Sequence, residues 1–559
     1  MKQSLAIVAS TLAVVEAGSG AAAKWANPVN LRRHLSYEKV AGYSPNSQVT
    51  DQCAIDLDQA AIESQLLLKT PESFQNARKI YNKGGHSKSY AYVTLLDGLG
   101  APLAKGERIM GKNAEGLEVA GEAYEDYETG SKFLKVLYTT SNIQETYVEC
   151  QVGMLVEKNM KGCLIGEGDL KIGGRQYAYN YVPATGNWNG RTIASFSKGT
   201  NAQDEMRLNC LGCPYKDFMY FYDYYGTDEY AHQFVEAAFE GTKTQFTNGN
   251  ADFSLYSFMG KEQIIKKSTV YLNIFMYVIH GWEEALDDCE RGCLDCNDGA
   301  AHSWDEGVCY YTGSIEGGPG GTNTGGKLLH HLADKRCTDY KTCGVEGADL
   351  GGTAKLNYDL FSLFSVGNFQ LLSGNCPAAR ATAKEITEKM YVPMIQGAMR
   401  CAYKVGEMFG GEKEKAEGAA FAAAVLPRVH AADPGAADII YQNLKVGATS
   451  TDFMAAKNAF QSVYQKMGVS CTDVGGLWSD ADNNYYAGME PCDDATLFAS
   501  TNEVEANSSN VLAVILGSVF GGLFAIVLIM WFVEKRRAKK TMAELAVFKA
   551  TGDDIKDLN

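Results

Sequence analysis

A run of 23 residues without a charge, Val511–Val533, sets the terms on which the rest of the chain folds. At 1.5 Å per residue a helix of that length reaches about 35 Å, enough to cross a ~30 Å hydrocarbon layer with some tilt. Lys535, Arg536, Arg537, Lys539 and Lys540 follow at once. The positive-inside tendency then predicts a cytosolic tail over 534–559 and places everything before residue 511 outside. At the other end Lys2 precedes the apolar run LAIVASTLAVV and then Val15-Glu16-Ala17, the pattern of a secretory signal over 1–17. The expected topology is single-pass type I at the plasma membrane.

That topology decides how the cysteines read. All 15 lie between Cys53 and Cys492, on the outer side, where disulfides persist. The odd count leaves one thiol over or one intermolecular bridge. The pairs Cys210/Cys213 and Cys293/Cys296 have the spacing of zinc half-sites, but some eighty residues separate them and the compartment is oxidising, so disulfides are expected. The chain has 51 basic and 67 acidic side chains, a net charge of −16. Seven of the basic and five of the acidic groups follow Val533, which leaves about −18 on the rest. Such a surface repels nucleic acid and anionic headgroups and concentrates cations.

Length and pattern divide the remainder. Residues 18–50 read as a polar leader, 51–200 as an N-terminal module, 201–495 as a helical module and 496–510 as a juxtamembrane stalk with the glycosylation sequon at Asn507. In the N-terminal module Ile55, Leu57, Ile62, Leu66 and Leu67, then Phe74, Ala77, Ile80 and Tyr81, recur near the 3.6-residue period, and Gly84-Gly85 stops the second helix. Glu115, Glu118, Glu122, Glu125 and Glu128 form an acidic ladder at helical spacing, which a solvated helix face explains. The stretch GDLKIGGRQYAYNYV reads as a β-hairpin about Gly173-Gly174. Later come an apolar helix from Ile264 to Leu286, helices opening at Cys376-Pro377 and Val392, and an Ala-rich helix from Glu412 to Val425 that ends before Pro427. The expected fold is mainly α: a helical-bundle ectodomain with a small β-hairpin region plus one C-terminal transmembrane helix.

The richest donor cluster is HSWDEGVCYYTGSIEG, residues 302–317. On a helix His302, Asp305 and Glu306 share a face, and Tyr310 extends it by a turn. Two readings stand: acids that favour a helix N-terminus beside a solvated histidine, or a hard-cation site. His232 with Glu236, and His280 with Glu284, repeat the i, i+4 spacing, and Glu417 lies in an ExxE pair with Glu414. Acids at the end of the helix that carries Glu284 oppose its dipole, which favours a bound cation.

Five segments resemble the phytotransferrins, the iron-starvation-induced surface proteins of diatoms and related algae: KVLYTTSNIQETYVECQVG (135–153), NGRTIASFSKG (189–199), NCLGCPYKDFMYFYDYYG (209–226), the 302–317 stretch and AEGAAFAAAVLPRV (416–429). The resemblance covers about residues 50–490, and the signal-plus-anchor layout is similar too. It implies a helical fold related to imelysin-type iron-binding proteins, binding of ferric iron with carbonate at the cell surface, and uptake by endocytosis into vesicles. The resemblance carries no ligand set, so the candidates follow from chemistry. Fe³⁺ is hard and prefers carboxylate, phenolate and imidazole to thiolate, which points to His302, Asp305, Glu306, Tyr310, Glu284, Glu417, His232 and Glu236. Carbonate needs a cationic partner, for which Arg428 and Arg400 are candidates. Acidification protonates such ligands and weakens the metal.

The chain lacks HExxH and GxSxG, and Gly321–Lys327 fits a phosphate loop except that Leu328 stands where the magnesium-binding hydroxyl belongs. No enzyme activity is expected. A disulfide-rich adhesion or signalling receptor is the alternative reading, and a metal-dependent ectoenzyme a weaker one.

Overall fold

Local capping sets the first helix boundaries. Thr70 Oγ1 accepts from the Ser73 amide while Ser73 Oγ accepts from the Thr70 amide, Pro71 stands at the first helical position, and Gly84 closes the helix Pro71–Lys83 at φ +60°. This computed structural model describes residues 39–47, 49–84, 86–87, 90–112, 116–137, 167–180, 191–198, 206–208, 210–294, 299–316 and 325–495. The predicted signal, stalk with Asn507, membrane span and tail lie outside them. Among the described residues no helix is long and apolar enough to cross a membrane.

The β region is larger than the expected hairpin. Six antiparallel strands, β1 (Tyr90–Leu95), β2 (Arg108–Lys112), β3 (Glu118–Ala123), β4 (Phe133–Leu137), β5 (Glu167–Ile172) and β6 (Arg175–Asn180), close in the order β1-β4-β3-β2-β5-β6. The hairpin about Gly173-Gly174 is real, with Ile172 opposite Arg175, but it is one corner of a barrel whose edge β6 pairs back onto β1. Closure removes exposed strand edges. Val93, Leu95, Ile109, Leu134, Val136, Leu170 and Tyr179 fill the barrel with a core of its own.

The acidic ladder, whose Glu115 lies outside the described residues, is not helical from Glu118 on. Glu118 and Glu122 lie on β3, and Glu125 and Glu128 follow it outside any helix or strand. A separation of four is even, so it places two glutamates on one face of a strand as readily as on one face of a helix. The spacing alone does not distinguish them.

The rest is a helical body with one large apolar core. The expected long helix runs Phe258–Ser268, then a π-helical segment Thr269–Ile274, then Phe275–Glu290. The last packs on Ala300–Thr312, each helix carrying one copy of the pattern His-x-Trp-Glu/Asp-Glu: His280-Gly-Trp282-Glu283-Glu284 and His302-Ser-Trp304-Asp305-Glu306. Trp282 and Trp304 meet at 5.9 Å, and a side chain at Gly307 would strike the Trp282 indole. The Ala-rich helix does not stop before Pro427 but runs Glu412–Ala432 with the proline buried inside it. Proline forfeits one backbone hydrogen bond, and the packing of Val425, Leu426 and Val429 into the core outweighs that loss.

Disulfides join Cys53 to Cys309, Cys210 to Cys213, Cys289 to Cys376, Cys337 to Cys343 and Cys471 to Cys492. Cys293 is bridged as well. The CxxC motifs are therefore not zinc half-sites. Among the described residues Cys401, buried, is the free thiol that the odd count requires.

Candidate metal centre

The helix Ala300–Thr312 ends at Gly313, whose φ of +84° lets the chain turn back at once. The buried Asp56 holds the new direction, accepting from the amides of Ser314 at 2.6 Å and Ile315 at 2.8 Å and from Ser314 Oγ at 2.8 Å. The next residue, Glu316, is thereby driven into the protein until only 1% of it is exposed. Neither of its oxygens has a hydrogen-bond partner among the described residues.

What faces it comes from the helix Leu329–Tyr340. His330 Nδ1 stands 3.5 Å from Glu316 Oε2 and 3.6 Å from Asp334 Oδ2, one helical turn on. One ligand atom from each of Glu316, His330 and Asp334 lies within 4.8 Å of the others. Adjacent ligand atoms about a tetrahedral metal with ~2.1 Å bonds stand ~3.4 Å apart, close to the two distances from His330 Nδ1. The supporting contacts orient these donors. Asp334 Oδ1 accepts from Ala354 N and from Asn357 Nδ2, both at 2.7 Å, which leaves Oδ2 for the cluster. Asn357 Nδ2 also reaches the His330 carbonyl, and its oxygen accepts from Tyr311 Oη at 2.7 Å. The imidazole is wedged edge-on against Tyr311 and Phe361. Conserving metal geometry through such outer contacts is how protein sites hold a ligand set in place. A side chain at Gly326 would overlap the Glu316 carboxylate, so glycine there makes room for it.

The electrostatics are those of a site short of positive charge. Burial pushes the Asp334 carboxyl up to about 6, although His330, Ala354 N and Asn357 pull the other way. Burial, with Glu316 adding to it, raises Asp56 to about 7 despite three hydrogen bonds. Two carboxylates and an imidazole are hard to borderline donors, and three protein ligands leave positions open for water or an anion. A cation among them would give Glu316 the partner it lacks among the described residues.

On the next face of the same helix the charge reverses. Arg336, 3% exposed, pairs with Asp339 at 2.9 Å, and its Nε has no partner among the described residues. The buried Lys267 donates to Gln263 at 2.7 Å and Glu417 at 3.2 Å, and burial lowers its pKa. Burial likewise lowers Lys335, with Arg336, Lys267 and Lys266 adding repulsion. Arg400 Nε meets Asp339 at 3.0 Å. The π-helical segment puts Tyr271 beside this group, stacked on Phe421 at 5.2 Å. π-Helical bulges are frequent at functional sites.

The residues expected from sequence are dispersed. Asp305 is fully buried and accepts five hydrogen bonds: from Tyr43 Oη at 2.6 Å, Asn368 Nδ2 at 3.0 Å, and the amides of Asn46 and Ser47 and Ser47 Oγ at 2.8 Å each. Its lone pairs are spent on the 43–47 segment. His302 pairs with Glu306 at 3.2 Å, and Glu306 also accepts from Gln52 Nε2 at 2.6 Å. Burial opposes the charge on Glu306, yet His302, Arg191 and Gln52 hold its carboxyl down at about 2. Tyr310 packs its ring between Phe196 and Tyr277. Glu284 lies 3.9 Å from His280 on a half-exposed face. His232 stacks on Tyr81 and shares a hydrogen bond with its hydroxyl at 3.1 Å, while Glu236 is taken by Arg78 and Asn82. Glu417 belongs to Lys267. Arg428 lies over Tyr220 and donates to the Lys466 carbonyl, whereas Arg400 shares Asp339 with Arg336 of the basic group. No single pocket gathers these residues. Of the 302–317 stretch it is Glu316 that enters a ligand cluster, and its partners have the His330–Asp334 i, i+4 spacing, the same signal that singled out His232–Glu236.

No protein-family model, curated protein or solved structure matches this chain.

Proposed function

We propose that the chain is a metal-binding protein whose cation sits among Glu316, His330 and Asp334. The observation that carries the reading is Glu316: a carboxylate 1% exposed, neither of whose oxygens has a hydrogen-bond partner among the described residues. An ionised carboxylate in that state is costly unless a cation accompanies it. Following the resemblance of the five segments, we take the cargo to be ferric iron, captured at the cell surface with carbonate and carried inward by endocytosis. The donor set suits a hard ion, and the acidic surface would concentrate cations around it. The basic group of the buried Lys267 and Arg336 and the exposed Lys335, bordered by Arg400, is where a carbonate-like oxyanion would find its positive partner. Arg428 is not part of that group.

The test is a titration of the purified chain with ferric iron, and in parallel with zinc and manganese, with and without bicarbonate. One ion per chain is expected, lost in Glu316→Gln and Asp334→Asn and retained in Glu306→Gln. Uptake that survives both of the first two substitutions places the metal elsewhere and ends this assignment.

A further inference from the structure

We propose that the Cys210–Cys213 bridge is a redox centre that exchanges disulfides with a thiol-bearing polypeptide, an activity separate from metal binding. Three observations carry it. First, of the five bridges whose two cysteines are both described, it is the one with neither cysteine buried: Cys210 and Cys213 are both half-buried and flank the exposed Leu211-Gly212 turn. Attack on a disulfide requires that a thiolate reach a sulfur. Second, the bridge spans a sequence separation of 3, against 256 for Cys53–Cys309 and 87 for Cys289–Cys376. The loop it closes is so short that it removes little freedom from the unfolded chain, so it adds little as a staple.

Third, the turn does not depend on the bridge for its shape. The buried Asp287, on the helix Phe275–Glu290, accepts from the amide of Leu211 at 2.8 Å and of Gly212 at 3.3 Å, and from Tyr215 Oη at 3.1 Å. Tyr215 N donates to the Met206 carbonyl at 2.8 Å, which closes the turn from the other side. When the S–S bond opens, these contacts keep the two thiols adjacent, so the second is always poised to resolve a mixed disulfide or to close the ring again. Leu208 and Leu211, 64% and 54% exposed, offer apolar contact to a polypeptide beside the sulfurs.

The exchange balances as follows. A thiolate of the reduced polypeptide attacks one sulfur of the bridge, the Cys210–Cys213 bond breaks, and the displaced cysteine leaves as thiolate and takes up a proton. The second thiol of the polypeptide then attacks the mixed disulfide, gives up its proton and releases the first cysteine. Two electrons and two protons have passed to the protein. A low-molecular-weight disulfide such as glutathione disulfide accepts them and restores the bridge.

The experiment uses the folded chain in glutathione buffers of stepped ratio, with differential alkylation and mass mapping of each cysteine. Cys210 and Cys213 are expected to become dithiol at a ratio about tenfold less reducing than any other bridge, with unchanged circular dichroism. Catalytic amounts of the chain should then accelerate oxidation of a reduced dithiol peptide by glutathione disulfide. That acceleration should vanish in Cys210→Ser and Cys213→Ser, one of which accumulates the peptide as a mixed disulfide. Asp287→Asn should slow ring closure about tenfold, measured by stopped alkylation. The proposal is overturned if the pair opens only together with the buried bridges, or opens without accelerating peptide oxidation. Both outcomes are read on the unsubstituted protein, so neither depends on a variant that folds.

Discussion

Replacing Glu316 by glutamine should raise the stability of the metal-free protein and lower that of the loaded one. Glu316 is 1% exposed, and its two oxygens accept nothing among the described residues. Its nearest basic group is the His330 imidazole at 3.5 Å. The amide keeps the shape and removes the charge, so it should recover about 1–3 kcal/mol of the desolvation cost. In the loaded protein a cation at a hundred times its dissociation constant adds about 2.7 kcal/mol to the unsubstituted chain. The variant forgoes that gain, and the sign of the mutation inverts. Urea denaturation at pH 8, once in chelator and once in excess ferric or zinc ion, measures both limbs. If Glu316→Gln destabilises the protein in chelator, or if metal protects both forms equally, the buried carboxylate is not waiting for a cation and the reasoning fails.

Asp305→Asn should cost about 1–3 kcal/mol, because the new amide turns donors toward the amides of Asn46 and Ser47, and should leave metal stoichiometry unchanged, as denaturation and titration would show. Gly326→Ala should weaken metal binding by at least about tenfold, through the overlap of its methyl with the Glu316 carboxylate, with a smaller effect on unfolding. The pH dependence of the metal-free protein has a definite sign. Asp56 at about 7 and Asp305 at about 6 lie above their unfolded values, so the folded form holds protons that the unfolded form has lost. Stability from these groups is fully present below pH ~4 and declines as pH rises toward 7. Glu306, held down at about 2, acts oppositely and loses its contribution below pH ~4.5. Denaturation in chelator should therefore show greater stability near pH 5 than at pH 8. A flat profile between those values would contradict the burial of Asp56 and Asp305.

The helices with strong local signals were legible from the chain alone. Thr70-Pro71 and Cys376-Pro377 mark helix starts, Gly84 marks a stop, and the apolar spacing of residues 55–81 needs only the 3.6 period. The Gly173-Gly174 hairpin was legible for the same reason, since both glycines adopt positive φ. The barrel was not, because its closure rests on pairings such as β1 with β4 and with β6 that join segments far apart in sequence. Nor did Pro427 reveal that it would sit inside a helix, since burial of its neighbours settled the matter.

The candidate site divides in the same way. Sequence by itself determined the supply of donors: which acids, histidines and tyrosines were at hand, that the 302–317 stretch was rich in them, and that the cysteines were destined mostly for bridges. Only the tertiary structure decided which donors were left unspent. Asp305 looked like a ligand and was consumed by five donors from the 43–47 segment and Asn368, more than sixty residues from it in either direction. Glu316, which no spacing rule picked out of the 302–317 stretch, was carried inward by Asp56, then set against His330 and Asp334. The i, i+4 rule describes one helix, whereas whether a carboxylate meets a hydrogen-bond donor or an empty place for a cation depends on what the rest of the chain packs against it.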